Sequence, residues 1–296
     1  MKIIQSFAQF EEGSPYFQHQ KNQDNQYLNL YSFLMSYLSL KNIYGTVTMF
    51  CNQQAYSTFI KYIPYDKIIL VESTNDFLVW SKYKTDVMRL VGDDLIHVDS
   101  DVFLAEDVFE PFINGDYDIM VQNSTPMELN DAKRFGFENK QWLNDTRILT
   151  KPYDGGCFSC GTVGLKRNVQ QLYFDATDML HDAMLKVGLE NTETPSMLLE
   201  EQLLYFLAVE YDYKTYEIIS KELFEKSGVV NGGDSIGYLH AWMRLKFSRD
   251  IINKIRKKIF FDFPSFYGII IEYENQVLRE MKIFQDMNFP KIYTQS

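Results

Sequence analysis

Leu95-Ile96-His97-Val98-Asp99-Ser100-Asp101-Val102-Phe103-Leu104 is the stretch on which the reading of this chain turns. An apolar strand runs straight into an Asp-Ser-Asp triplet, and an apolar run resumes at once. Asp99 and Asp101 are two apart where the chain leaves a sheet, so both carboxylates can turn towards one point. Two hard oxygen ligands so placed suit Mn²⁺ or Mg²⁺, which favour carboxylate and phosphate oxygens. Such a cation would bridge to a diphosphate and stabilise the charge on a departing nucleoside diphosphate. The plainer alternative is a pair of exposed turn acids. His97, inside the strand, reads as a core histidine.

Upstream of the triplet, strands alternate with helices. Residues 3–7 (Ile-Ile-Gln-Ser-Phe) read as a first strand, followed by a polar, loop-like stretch to Asn25. Leu28, Tyr31, Leu34, Met35 and Leu38 recur at helical spacing over 27–40. Gly45 introduces a second strand at 46–50, a helix over 53–62 stops before Pro64, and 67–71 (Lys-Ile-Ile-Leu-Val) is a third strand. Ser73 to Asp76 offers N-cap chemistry for a helix over 76–90. This alternation predicts βαβ units around a parallel sheet, in which ligands collect at the carboxyl ends of the strands. The triplet stands at such an end.

Downstream, 117–121 reads as a fifth strand, and the polar, poorly periodic residues 124–151 read as an insertion or lid. Gly155-Gly156 opens a strand-like segment to Leu165. Helices over 168–187 and 196–210 follow, then a strand over 216–220. From 244 the chain changes character, with a basic helix over 244–261 and another over 266–286. The expected organisation is one α/β domain over 1–243 and a basic, amphipathic helical extension over 244–296.

The 296 residues include 40 acidic and 29 basic side chains, a formal charge of −11, which argues against nucleic acid as the main partner. An acidic protein that handles an anionic substrate needs local help from a cation or a few placed Lys and Arg. Three cysteines make no disulfide framework. Cys157 and Cys160 have CxxC spacing but no second pair, and read as packing residues. No run approaches the roughly 18–20 apolar residues of a membrane span and no signal segment is recognised, so the expected location is the cytoplasm.

Two further clusters carry chemistry. In the helix 198–210, Leu199, Leu203, Phe206 and Leu207 define a buried face; Gln202 falls within that arc, Glu200 on its edge and Glu201 on the far side. These three residues either line a site or, for the two acids, complement the helix N-terminus. His240 is a candidate metal ligand, and a site of two Asp and one His would favour Mn²⁺; the alternative is a structural His beside Trp242. In 244–258, Arg244, Lys246, Arg249, Lys254, Arg256, Lys257 and Lys258 face one acid, Asp250, with Ile251, Ile255 and Ile259 repeating every four residues and aromatics following. That pattern suits peripheral contact with an anionic membrane on its inner face, or an ordinary surface helix packed on the core.

The run from Leu95 to Leu104 resembles the DxD segment of GT-A-fold glycosyltransferases, nearest in motif order to the glycogenin and galactosyltransferase-like retaining group. Asp154-Gly155-Gly156-Cys157-Phe158 with Gly161-Thr162-Val163-Gly164-Leu165 looks like the small-residue segment these enzymes place under the donor sugar. Glu201-Gln202 is similar to that group's Asp-Gln pair, and His240 with Lys246 matches its spacing between a metal ligand and a diphosphate-binding lysine. The glycine and Pro-Trp that usually accompany that pair are absent. By the resemblance, Lys84 and Arg89 reach the donor's sugar or phosphates, and the segment from Phe7 to Glu12 contacts the base and ribose.

The resemblance implies a GT-A-like fold (Rossmann-like, with a mostly parallel central sheet flanked by helices) and a metal-dependent glycosyltransferase acting on a nucleotide-diphosphate sugar and a carbohydrate or lipid-linked glycan acceptor. Asp101 and His240 would hold the metal, Asp99 would be shared between metal and ribose, and Glu200, Glu201 and Gln202 would face the reacting sugar. Inversion and retention stay open. A non-catalytic protein of the same fold is the alternative, and a sugar-nucleotide pyrophosphorylase ranks lower because residues 8–25 hold only Gly13 where that class needs a glycine-rich loop.

Overall fold

The computed structural model describes residues 1–9, 23–72, 80–126, 156–187, 196–241 and 249–288. Its elements are β1 (Lys2–Phe7), α1 (Gln23–Tyr44), β2 (Thr48–Cys51), α2 (Gln53–Thr58), β3 (Lys67–Leu70), α3 (Trp80–Val91), β4 (Leu95–Val98), β5 (Val102–Leu104), α4 (Glu110–Asn114), β6 (Ile119–Pro126), β7 (Gly156–Leu165), α5 (Arg167–Val187), α6 (Leu203–Glu210), β8 (Thr215–Glu217), α7 (Lys221–Ser235), β9 (Tyr238–His240), α8 (Arg249–Asp262) and α9 (Tyr267–Asn288). The chain is an α/β protein with C-terminal helices.

Seven strands form one sheet in the order β3-β2-β1-β4-β7-β6-β8. Neighbours β3-β2-β1-β4 and β6-β8 pair in parallel, while β7 runs antiparallel to both β4 and β6. Successive side chains of a strand point to opposite faces, and the core divides accordingly. Ile3, Met49 and Ile96 join α1, α2 and the C-terminal helices on one face. Ile4, Phe50, Leu95 and Val163 join α3, α5 and α6 on the other. Strands covered on both faces read as near-continuous apolar runs, which is why β1 and β4 are so hydrophobic.

Order reverses at β1: the chain builds β2 and β3 to one side, then returns to place β4 on the other. Ligand crevices form at the carboxyl ends of strands flanking such a point. Here Ser6 of β1 and His97 of β4 share a hydrogen bond of 2.8 Å just before that end.

α1 is longer than the periodicity predicts, and it is buried on every side between Leu30 and Leu40. A helix becomes apolar all round when it is covered on both faces, and α8 and α9 supply the outer cover. Tyr31 hydrogen-bonds Glu274, Arg256 Nη2 pairs with Glu274 Oε2 at 3.0 Å, and the Tyr62 and Tyr273 rings meet edge-on at 5.5 Å. Gly45, in the left-handed region at φ 80°, ends the helix. Ile255 and Ile259 of α8 are buried, so the isoleucine stripe faces inward.

Four elements differ from the expectation. β5 and β9 form a separate two-stranded antiparallel sheet, and residues 221–235 make a helix kinked at Gly228. The expected fifth strand extends to Pro126 and pairs with β7 and β8. Most of the lid reading at 124–151, the cap at 73–76 and the loop at 10–22 lie outside the described residues. No helix among the described residues is long and apolar enough to cross a membrane.

Candidate functional site

β4 delivers Asp99 to the sheet edge, and the Asp99 amide donates to the Gly161 carbonyl at 2.9 Å as the last rung to β7. The turn is held from behind by serines one helical face of α1 apart. Ser32 Oγ donates to the Ser100 carbonyl at 2.8 Å, Ser36 Oγ to the Asp99 carbonyl at 3.4 Å, and Ser39 Oγ accepts from the Leu104 amide at 3.2 Å. Beyond the turn, β5 pairs with β9 so that Val102 lies opposite His240, and the Ala241 amide donates to the Asp101 carbonyl at 2.8 Å. This short pairing closes a long sequence gap. Ligand atoms of Asp99, Asp101 and His240 all lie within 4.8 Å of one another. Asp101 and His240 are buried, while the Asp99 side chain keeps 28% of its surface exposed and so forms the open rim.

The His240 ring is oriented by a buried polar chain. Gln122 Oε1 lies 2.7 Å from His240 Nδ1 and also accepts from the Tyr238 hydroxyl at 3.1 Å, which in turn lies 3.1 Å from Thr162 Oγ1. An amide oxygen only accepts, so Nδ1 is the donor to Gln122, and Nε2 is the ring atom turned towards Asp101 Oδ1, at 3.4 Å. A carboxylate oxygen and a ring nitrogen facing each other, with the other ring nitrogen held by an outer partner, fit a divalent cation between them. Gln122 reaches the ring because one residue of β6 faces three of β7 at this level, a bulge between the Val121 and Asn123 pairings. A Cβ on Gly161 would lie 2.4 Å from His240 Cε1, so only glycine admits the ring here.

On the other side of Asp99 stands a buried charge pair. Lys84 of α3 reaches Asp99 Oδ1 at 2.8 Å, donates to the Cys160 carbonyl at 3.0 Å and forms an ion pair with Glu200. Burial pulls the Lys84 ammonium down, but Asp99 and Glu200 more than reverse this and raise it. Burial raises the Glu200 carboxyl against the opposing pull of Lys84. Glu201 is pushed up to about 8, by burial first and then by the charge of Glu200. His97 lies well below its ordinary value through burial and the nearby Lys84 charge.

Glu200 owes its position to a π-turn over Leu198–Gln202, marked by the Leu203 amide donating to the Leu198 carbonyl. A turn one residue wider than an α-turn changes where successive side chains point. The regular spacing predicts Glu200 on the edge of the apolar arc and Glu201 on its far side. Instead Glu200 is 2% exposed, Gln202 is buried as its place in the arc predicts, and Glu201 is partly buried.

Not every expected residue converges. Arg89 of α3 is not drawn in: it holds Asp178 Oδ2 at 2.7 Å and the Phe174 carbonyl at 2.9 Å on α5. Five residues along a helix turn a side chain by roughly 140°, so Lys84 and Arg89 cannot share a target. Gly156 lies under the Tyr205 ring, with a Cβ position 2.1 Å from Tyr205 Cζ. Asp154, Gly155 and Lys246 lie outside the described residues. Cys157 and Cys160, three apart on β7, point to opposite faces: Cys157 lies 3.2 Å from Thr125 Oγ1, while Cys160 Sγ is buried against the Glu200 carbonyl at 3.6 Å. Gln122, Tyr238 and the serine stripe of α1 were not singled out from sequence, although a Gln inside an apolar strand and Ser32, Ser36 and Ser39 on one helix face are visible signals.

Residues 1–273 match a family described as "Family of unknown function (DUF6734)". The chain belongs to this family. No curated protein matches it in sequence. Among solved structures, the DUF6734 chain is similar to the apo-form glycosyltransferase GlyE of Streptococcus pneumoniae TIGR4, with 11% identity, 93% of this chain and 63% of that one covered, and a TM-score of 0.44. A glycosyltransferase involved in glycosylation of the major capsid of PBCV-1 gives 8% identity, coverage of 86% and 99%, and a TM-score of 0.37. The apo bifunctional glycosyltransferase WbbM gives 13% identity, coverage of 73% and 45%, and a TM-score of 0.33. The chain thus spans less than two thirds of the GlyE and WbbM chains.

Proposed function

We propose that this chain is a metal-dependent glycosyltransferase that transfers a sugar from a nucleotide-diphosphate donor to an acceptor hydroxyl, on a carbohydrate or lipid-linked glycan in glycan or surface-polysaccharide synthesis. The observation that carries this reading is the convergence of Asp99, Asp101 and His240 beside the point where strand order reverses, with the buried Lys84–Glu200 pair against Asp99.

In this reading Asp101 and His240 are the buried ligands and Asp99 the open one, shared with the donor's ribose. A bound Mn²⁺ or Mg²⁺ would supply charge neutralisation at the diphosphate, with Mn²⁺ favoured by the imidazole. Lys84 holds Asp99 in one orientation through Oδ1 and opposes the effect of burial on the Glu200 carboxyl. Glu200, Glu201 and Gln202 face the reacting sugar. Glu201, with its carboxyl pushed up to about 8, is the residue here suited to exchanging a proton with the acceptor hydroxyl near neutral pH.

The test is release of nucleoside diphosphate from a panel of UDP- and GDP-sugars with and without Mn²⁺. Metal-dependent release is expected, and Asp101→Ala should abolish it while leaving the circular dichroism spectrum unchanged. Neither turnover nor nucleotide binding across the panel, or full activity in Asp101→Ala, would overturn the assignment.

A further inference from the structure

The isoleucine stripe of α8 is spent on the core, with Ile255 and Ile259 buried against α1 and its neighbours. The opposite face is therefore the one presented to solvent. At about 100° per residue, Lys254, Lys257, Lys258 and Phe261 fall within a single arc of roughly 100°, centred away from Ile255 and Ile259. Phe261 is 72% exposed and Phe260 48%. Phe260 packs edge-on against Phe261 at 5.1 Å and against Tyr267 at 5.0 Å, so three rings form one apolar knob where the chain reverses through Pro264–Phe266 into α9. Residues 249–267 hold five basic and two acidic side chains, in a chain whose formal charge is −11. Among the described residues Lys254 and Lys257 make no ion pair, while Lys258 pairs with Asp262 at 2.5 Å.

We propose that the outer face of α8 and the α8–α9 turn dock on an anionic lipid bilayer, with the Phe260–Phe261 knob at the headgroup level and the lysines against lipid phosphates. Aromatic rings favour that depth, and lysines flanking an apolar tip add attraction to an anionic surface. A second copy of the chain is the poorer occupant, because self-pairing of this face sets lysines against lysines. An acidic soluble partner would satisfy the lysines and leave the knob without a role.

The experiment is cosedimentation of the full chain with vesicles of phosphatidylcholine alone, or of phosphatidylcholine with about one third phosphatidylglycerol. Binding is expected only to the anionic vesicles and should weaken as salt rises. A basic side chain near such a surface is worth roughly fivefold in partitioning, so Lys254→Gln/Lys257→Gln/Lys258→Gln should lose about ten- to a hundredfold, the lower figure allowing for the existing Lys258–Asp262 pair. In Phe261→Trp the tryptophan emission should shift to the blue on adding anionic vesicles. Absence of vesicle binding, binding unaffected by the lysine changes, an unshifted Phe261→Trp emission, or lipid-free dimers that dissociate in Phe261→Ser would each overturn the proposal.

Discussion

Replacing Gly161 by alanine adds one methyl group at the point where β7 passes beneath His240. Its carbon would stand 2.4 Å from His240 Cε1, 2.5 Å from Nδ1 and 2.8 Å from Gln122 Oε1, whereas ordinary contact begins at 3.4 Å. The ring must therefore withdraw by about 1 Å, because β7 is tied to the β4 end at Gly161 by the Asp99 amide and is paired on either side of the bulge. Metal–ligand distances tolerate only about 0.2 Å. A shift of that size breaks the 2.7 Å bond to Gln122 and carries Nε2 away from Asp101. Overpacking of this kind costs about 1–3 kcal/mol in stability, and misplacing a ligand through its supporting contacts costs roughly 10–100-fold in metal affinity. Urea unfolding without metal reads the first quantity, and calorimetric Mn²⁺ titration the second. Gly268 of α9 is the control: nothing lies within 4 Å of its Cβ position, so Gly268→Ala should be neutral or stabilise by about 0.4–1 kcal/mol. Gly161→Ala binding Mn²⁺ within twofold of the parent, with an unchanged unfolding midpoint, would refute the geometry of the His240 pocket.

Three other outcomes are expected. Lys84→Met leaves Glu200 buried without its ion-pair partner and should destabilise by about 3–5 kcal/mol, with part of the loss recovered in Lys84→Met/Glu200→Leu; denaturant unfolding of both variants measures this, and a single-variant loss below about 1 kcal/mol would contradict the burial of the Lys84–Glu200 pair. Glu201 holds its proton more tightly in the folded chain, up to about 8, than in the unfolded chain, so its contribution to stability should fall as pH rises from the ordinary carboxylate range through about 8. Unfolding at several pH values should show a steeper decline in the parent than in Glu201→Gln, in which the raised Glu200 carboxyl still contributes; identical slopes would count against it. Gln122→Leu frees the Nδ1 proton and should weaken Mn²⁺ binding by roughly 10–100-fold, with a changed ¹⁵N tautomer signature at His240.

Strands and helices with strong local signals were legible from sequence. β4 occupies the residues its apolar run predicts, and β1, β2 and β3 follow their predicted segments within a residue or two. The remainder depended on long-range or cooperative effects. β5 and β9 are only three residues each, and neither is a strand without the other. α7 contains Gly228, Gly232 and Gly233, which hide a helix from propensity, although Ser220 caps it by accepting from the Leu223 amide at 3.3 Å. The π-turn at Leu198–Gln202 breaks the regular 100° spacing, so Glu200 is fully buried and Glu201 partly buried, both deeper than their places on a regular helix. The serine stripe of α1 lies in a segment whose periodicity signals only a helix; its purpose emerges once the Asp99 turn packs on it.

The charge balance of the site supplies its own argument for a cation. Asp99, Asp101, Glu200 and Glu201 crowd the carboxyl end of the switch point, and Lys84 is the buried cation paired with Asp99 and Glu200. Burial keeps Glu201 protonated up to about 8, which removes one negative charge at neutral pH. Asp99 and Glu200 share Lys84, so that group leaves no spare positive charge, and Asp101 Oδ1 lies beside them, 3.4 Å from His240 Nε2. A nucleoside diphosphate entering this field, in a chain of net charge −11, would be repelled. A divalent cation between Asp101 and His240 would reverse the local sign, and Lys84 is already paired with Glu200 and with Asp99, the open rim of that site. In the proposed function two tasks are separated: Lys84 offsets buried Glu200 and steadies Asp99, and Asp99, Asp101 and His240 would hold the cation that an anionic donor requires.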